Sequence, residues 1–277
     1  MKQAMLFDIQ DFCTGDGPGI RTTVFFKGCN LSCRWCHNPE SQNPTAQMLY
    51  YRDKCTHCGR CERVCPNGLE TCDFCGRCEF ICPNEARSIS GKEHTAEDVM
   101  DRIRKDAVYY KNSGGGATFS GGECMLQIDA LEELLKACKA EEIHTAVDTA
   151  GHVPFDYFER ILPYTDLVLY DVKCLDSAKH KRYTGVGNEL ILDNLKRLLA
   201  IGKPTWVRIP VIPTFNDTEE EMKEIKRFLD SCGTPERVEL LPYHTLGEGK
   251  YVALGMEGTC FDVPDEEKME RLKMIFA

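Results

Sequence analysis

Residues 118–173 read TFSGGECMLQIDALEELLKACKAEEIHTAVDTAGHVPFDYFERILPYTDLVLYDVK. Short β-branched runs at 118–120, 145–148 and 167–172 alternate there with amphipathic stretches at 129–140 and 155–162. That rhythm is the βα unit of a parallel sheet. It continues outward, with strands at 24–26, 206–212 and 238–242 and helices at 96–110, 189–200, 219–231 and 265–276. Six strands, each followed by a helix, predict an α/β fold: a partial (β/α)6 TIM-like barrel, with its ligand site at the C-terminal strand ends. A doubly wound open sheet shows the same alternation. The polar motifs sit at those ends: Ser120-Gly121-Gly122-Glu123, Asp148-Thr149, Asp171-Val172-Lys173, Arg208 and His244.

The chain has 277 residues, 42% hydrophobic and 28% charged, which suits a soluble globular protein with a large α/β domain and a small inserted module. Its first twelve residues, MKQAMLFDIQDF, carry acids and no long apolar run, so a cytoplasmic protein without a membrane segment is expected. A net charge of -10 removes the usual basis for binding nucleic acid or an anionic membrane. The expected partner is a protein or a small molecule.

Of the 17 cysteines, 11 fall between Cys29 and Cys82 in short regular spacings. In a reducing compartment such a pattern reads as metal ligation, and thiolates favour iron-sulfur clusters or zinc. Cys29, Cys33 and Cys36 follow the strand at 24–26 and offer three thiolates. On a four-iron cluster they leave one iron without a protein ligand, the open position of a reactive site. The spacing alone also admits a closed site completed by a remote residue.

Cys55, Cys58, Cys61 and Cys65-Pro66, then Cys72, Cys75, Cys78 and Cys82-Pro83, repeat one ferredoxin pattern twice. Crossed ligation would give Cys55, Cys58, Cys61 and Cys82 to one [4Fe-4S] cluster, and Cys72, Cys75, Cys78 and Cys65 to a second. The short link between the two motifs leaves that pairing open, and paired Cys-x2-Cys units also make zinc sites. The expected organisation is a core over 1–48 and 88–277, interrupted by a ferredoxin-like insert at 49–87. The insert either relays electrons, staples itself, or offers a docking surface.

The Cys-x3-Cys-x2-Cys motif with Trp35 before its last cysteine resembles the radical S-adenosylmethionine (SAM) superfamily. Asp16-Gly-Pro-Gly-Ile-Arg21, Phe25, Gly28 and His37-Asn38 further resemble the activating enzymes of glycyl radical enzymes, in the subset with a two-cluster insert. The resemblance implies three [4Fe-4S] clusters and reductive cleavage of SAM to methionine and a 5′-deoxyadenosyl radical. That radical then takes hydrogen from a backbone glycine of a partner glycyl radical enzyme.

The resemblance also implies individual roles. Cys29, Cys33, Cys36 and Lys173 act in the reaction, with Lys173 near the glycine-bearing peptide or else a solvated lysine with an ion-pair partner. Trp35, Gly121, Gly122, Glu123, Asp148, Arg208 and His244 contact SAM, with Glu123 answering its ammonium. Asp148, Thr149 and Asp171 hold a monovalent cation, Na+ or K+. An electron donor such as flavodoxin or ferredoxin is a further implied partner. Cys124 departs from the family pattern and reads as incidental, and only one helix is expected after His244. The alternative is a radical enzyme acting on a small molecule or short peptide with auxiliary clusters.

Overall fold

The computed structural model describes residues 3–277. The chain opens with β1 (Gln3–Cys13), antiparallel to β2 (Arg21–Phe26). A two-stranded ribbon of β3 (Gln47–Tyr50) and β4 (Arg87–Ser90) then brackets the cysteine-rich segment, and β5 (Lys92–Thr95) returns to pair with β1. Five more strands follow: β6 (Gly116–Gly121), β7 (His144–Thr149), β8 (Leu167–Asp171), β9 (Thr205–Val211) and β10 (Arg237–Pro242). In the sheet they run β2-β6-β7-β8-β9-β10, all parallel and in chain order. Unbroken chain order is the arrangement of a barrel wall. A doubly wound sheet would reverse at a switch point, so this topology decides between the two.

Within the cysteine-rich segment lie two five-residue helices, α1 (Arg60–Val64) and α2 (Arg77–Ile81). Each is entered through a glycine in the left-handed region, Gly59 at φ +69° and Gly76 at φ +76°. After β5 come α3 (Ala96–Lys105) and α4 (Ala107–Ser113), where the sequence predicted one helix over 96–110. The break falls at Asp106, whose buried carboxylate accepts the Thr22 hydroxyl at 2.9 Å. Thr95 caps α3, accepting from the Asp98 amide while the Asp98 carboxylate accepts from the Thr95 amide.

The remaining helices are α5 (Ile128–Ala140), α6 (Phe155–Ile161), α7 (Ser177–Thr184), α8 (Glu189–Ala200), α9 (Glu219–Cys232), α10 (Glu248–Leu254) and α11 (Glu266–Lys273). Their buried faces carry the core. On α5, Ile128, Leu131, Leu134, Leu135 and Cys138 recur at helical spacing and are buried against the sheet with Phe119, Val147 and Val168. Two helices follow His244, where one was expected, because the Glu248–Leu254 segment packs Tyr251 and Ala253 inward. Among the described residues no helix is long and apolar enough to cross a membrane.

Candidate active site

At the C-terminal ends of the parallel strands lies a cavity of about 510 Å³, lined by Cys29, Cys33 and Cys36 together with Asp148, Asp171, Lys173 and Arg208. The cysteine loop leaves β2 and is stitched down by main-chain bonds. The Gly28 amide donates to Ser41 O at 2.7 Å, Cys29 to Gln42 O at 3.1 Å, Ser32 to Thr184 O at 2.8 Å and Arg34 to Tyr183 O at 3.0 Å. The last two anchor it to the end of α7, a helix that the sequence reading did not single out.

At the end of β6, the Gly122 amide donates to Phe26 O at 2.9 Å and the Glu123 amide to Gly28 O at 2.8 Å. This close approach is possible only without side chains. A Cβ on Gly122 would lie 2.2 Å from Gly28 O, and Gly121 adopts φ +111°. The two glycines thus hold the cysteine loop and the cavity floor together.

Burial drives the free thiols of Cys29 and Cys33 up to about 12 and raises that of Cys36. They are therefore protonated until a metal binds, and metal loading must expel protons. Among the described residues no fourth cysteine lines the cavity. Three soft donors sharing one cavity with polar groups fit a cluster that keeps one coordination position for a ligand.

Trp35 is buried behind the loop, with its ring 4.4 Å from that of Phe215 and 6.3 Å from those of Tyr183 and Phe261. His37 and His244 stack with ring centroids 3.6 Å apart. His244 is exposed, at the cavity rim.

The same cavity carries a charged network. Arg208 lies 3.6 Å from Asp148, 3.4 Å from Glu239 and 3.9 Å from Asp16, and it donates to Gly15 O. Burial works to lower its pKa, but Asp148, Asp171 and Asp16 outweigh it and hold the guanidinium charged. Burial raises the Asp148 carboxyl, with Arg208 opposing, and Asp148 accepts the Ser120 hydroxyl at 2.7 Å. Lys173 is 7% exposed and donates to Asp171 at 2.7 Å. Burial disfavours its charge, yet the Asp171 carboxylate more than compensates and its pKa is raised. It is thus a buried lysine with an ion-pair partner, Asp171.

Glu123 lies off the cavity lining, whereas Thr149 is part of it. Glu123 is fully buried, outside the cavity lining, and accepts from Met125 N (3.3 Å), the Thr149 hydroxyl (2.8 Å) and Ala150 N (3.2 Å). It braces the glycine edge against β7. The Thr149 hydroxyl is spent on Glu123 and on the Gly151 amide at 2.8 Å. The Cys124 thiol is also buried, 3.7 Å from Asp148 O.

Asp16 and Glu239 were given no role from sequence. Asp16 lines the cavity and accepts the Thr23 hydroxyl at 2.9 Å. Its loop is held by Arg21, which is fully buried and donates to Thr118 Oγ1, Ala117 O and Pro18 O. Glu239 sits in direct register with Arg208 across β10 and β9. Aligning those two strand ends in the sequence would have found it.

In the insert, Cys55, Cys58, Cys61 and Cys82 line one cavity of about 130 Å³. The two halves repeat in detail: Cys65 Sγ accepts from Leu69 N at 3.2 Å, and Cys82 Sγ from Ala86 N at 3.3 Å. Cys72 and Cys75 are exposed, and so is Phe80 on α2.

Comparison with known proteins adds to this geometry. A model described as the radical SAM superfamily matches residues 62–229, and one described as a 4Fe-4S binding domain matches residues 50–69. The chain is 42% identical to a trans-4-hydroxy-L-proline dehydratase activating enzyme of Clostridioides difficile, over 98% of this chain and 95% of that one. It is 41% identical to a choline trimethylamine-lyase activating enzyme of Oleidesulfovibrio alaskensis, over 92% and 88%. Among solved structures, a domain of a pyruvate-formate lyase-activating enzyme from Bacteroides vulgatus is 34% identical with a TM-score of 0.51, covering 58% of this chain and 92% of that one. Streptococcus suis SuiB shares the fold at a TM-score of 0.58 and 14% identity, covering 90% of this chain and 43% of that one.

Proposed function

The chain belongs to the radical SAM superfamily and, within it, to the activating enzymes of glycyl radical enzymes; on that premise we propose that the cavity walled by Cys29, Cys33 and Cys36 is where this activation is carried out. When a [4Fe-4S] cluster and SAM are bound, one-electron reduction breaks a C–S bond to give methionine and a 5′-deoxyadenosyl radical, which takes hydrogen from a backbone glycine of the partner enzyme. The protein's own work is placement. Cys29, Cys33 and Cys36 supply the thiolates, and Gly121 and Gly122 let backbone approach the ligand. Asp148 and Arg208 offer opposite charges to the ligand's ammonium and carboxylate, and Trp35 and His244 wall its ring. Lys173, held charged by Asp171, balances the negative thiolates.

A Na+ or K+ ion here would rest on Asp148, Thr149 and Asp171, which line the same cavity. Two auxiliary clusters in the insert agree with the way Cys82 joins Cys55, Cys58 and Cys61 around one cavity. An electron donor of flavodoxin or ferredoxin type, in the cytoplasm, completes the scheme. The exposed thiols of Cys72 and Cys75 support its approach at the insert.

The observation that carries the reading is the three thiols sharing one cavity with the Asp148–Arg208 network. Anaerobic SAM cleavage with dithionite tests it. Cys33→Ser is expected to abolish 5′-deoxyadenosine formation while the insert keeps its iron. Cleavage at the wild-type rate in that variant would overturn the assignment.

A further inference from the structure

A further cavity, of about 740 Å³, is lined by β1 from Leu6 to Gln10 and by Leu49, Tyr51 and Glu79 of the insert. Its size falls within the range of about 300–1,000 Å³ usual for ligand sites. Phe25 and Asn38 line this cavity and the active-site cavity alike, so the two adjoin. At Gln10 and Lys92, both exposed, it reaches the surface.

Two buried polar side chains in its lining are incompletely satisfied. Glu40 and Ser90 are each 5% exposed, and among the described residues Glu40 Oε2 and Ser90 Oγ have no hydrogen-bond partner. Buried polar atoms are ordinarily satisfied, so two orphans in one lining point to a partner that this chain does not provide. Neither residue is loosely placed. Lys250 donates to the other Glu40 carboxylate oxygen at 2.6 Å, Lys27 donates to Glu40 O, and Ser90 stands in register with Gln47 across β4 and β3. A carboxylate oxygen accepts and a hydroxyl can donate, a pair that suits the amides and carbonyls of a main chain.

The charges exclude a simple anion site. Lys92 lies 3.3 Å from Glu79, Lys250 2.6 Å from Glu40 and Arg102 2.7 Å from Asp11, so the lysines and arginine of the lining are each paired within the fold. Phe7 and Phe25, with ring centroids 5.4 Å apart, add an aromatic patch. β1 is paired on both edges, with β2 and with β5, so an occupant cannot extend the sheet. It must lie across the strand and take its polar contacts from side chains. Five strand residues span about 17 Å, the reach of about five residues of extended chain.

Resting on the activation reading above, we propose that this cavity receives an extended segment of the partner glycyl radical enzyme next to its reactive glycine, with Glu40 accepting a main-chain amide and Ser90 donating to a main-chain carbonyl. The adjoining cavities select this occupant, because a chain whose glycine lies in the active-site cavity can continue past Phe25 and Asn38 into this one. The insert, through Leu49, Tyr51 and Glu79, is then part of the protein-substrate site.

The test uses reconstituted holoenzyme, SAM, a reductant and a full-length glycyl radical enzyme that the wild type converts to its radical form, as read by EPR. Ser90→Ala removes a hydroxyl that no other described residue engages. It is expected to raise the partner concentration at half-maximal radical formation roughly fivefold, the weight of about one hydrogen bond, with the rate at saturation retained. A photoreactive p-benzoylphenylalanine in place of the exposed Gln10 is expected to crosslink to the glycine-bearing segment, located by mass mapping of peptides. An unchanged half-maximal concentration in Ser90→Ala overturns the proposal, and so do crosslinks that are absent or lie only elsewhere on the partner. If Ser90→Ala loses iron, the crosslink decides alone. A wild type that forms abundant 5′-deoxyadenosine but no glycyl radical refutes the activation reading instead, a distinct outcome.

Discussion

Gly122→Ala should disconnect the fold from its chemistry. The new Cβ would stand 2.2 Å from Gly28 O, 2.7 Å from Gly28 C and 2.9 Å from Ser41 O, all of them backbone atoms that cannot swing aside. Relief requires the β6 end and the cysteine loop to part. That strains or breaks the bonds from Gly122 N to Phe26 O and from Glu123 N to Gly28 O. Two such bonds at about 1 kcal/mol each, with about 1–3 kcal/mol of overpacking, put the cost at about 3–5 kcal/mol. The cost falls on the loop that presents Cys29, Cys33 and Cys36. A displacement of about 1 Å there is enough for a roughly 100-fold loss of cleavage rate. Anaerobic iron analysis and 5′-deoxyadenosine formation measure both effects. Iron should fall from about twelve to about eight per chain, at four per cube, while the insert stays loaded. Gly249→Ala is the control, since among the described residues no other atom comes within 4 Å of a Cβ there. Full iron and wild-type cleavage in Gly122→Ala would refute the claim that this glycine edge positions the loop.

Other perturbations probe separate parts of the account. Cys82 shares a cavity with Cys55, Cys58 and Cys61, so Cys55→Ser/Cys82→Ser should lose about four irons, whereas Cys65→Ser/Cys82→Ser should lose about eight; a loss of about eight irons in both variants would refute crossed ligation. Lys250→Met strands the buried Glu40 carboxylate, at a cost of about 3 kcal/mol. Anaerobic denaturation should show that loss largely recovered in Glu40→Gln/Lys250→Met, and a single-variant loss under about 1 kcal/mol would contradict the burial argument. Burial raises the Glu123 pKa from 4.5 to about 7, so the folded state holds this proton more tightly than the unfolded chain. Its stabilisation is full below pH 4.5 and is lost as pH rises through about 7, at most about 3 kcal/mol over that interval. Glu123→Gln, which cannot titrate, should flatten the stability profile between pH 4.5 and 7 in anaerobic denaturant titrations, and an unchanged slope would refute this assignment.

The site-bearing strands were legible because β-branched runs end abruptly in polar residues. Thr-Phe-Ser before Gly121, Thr-Ala-Val before Asp148 and Leu-Val-Leu-Tyr before Asp171 each mark where a buried strand meets the cavity. Their helices followed from apolar periodicity, as on α5. What stayed hidden depends on contacts distant in sequence. β1 carries acids and gains its strand character from pairing with β2 and β5 on either side. α7 reads SAKHKRYT and buries only His180 and Thr184, so no apolar period announces it, although it anchors the cysteine loop. The break between α3 and α4 rests on a hydrogen bond between Asp106 and Thr22, 84 positions apart.

Glu123 shows the limit of motif reading most clearly. The Gly-Gly-Glu pattern identified the strand end, but whether the carboxylate faces the cavity or the core depends on the β7 groups behind it. Thr149 and Ala150 draw it inward.

The central claim is that this protein places a radical on a backbone glycine of another protein. EPR of anaerobic mixtures of the reduced holoenzyme, SAM and candidate glycyl radical enzymes tests that claim most directly. The account predicts a glycyl radical signal that depends on SAM and vanishes in Cys33→Ser, with 5′-deoxyadenosine formed alongside. Abundant 5′-deoxyadenosine with no glycyl signal would contradict it and assign the chemistry to another substrate.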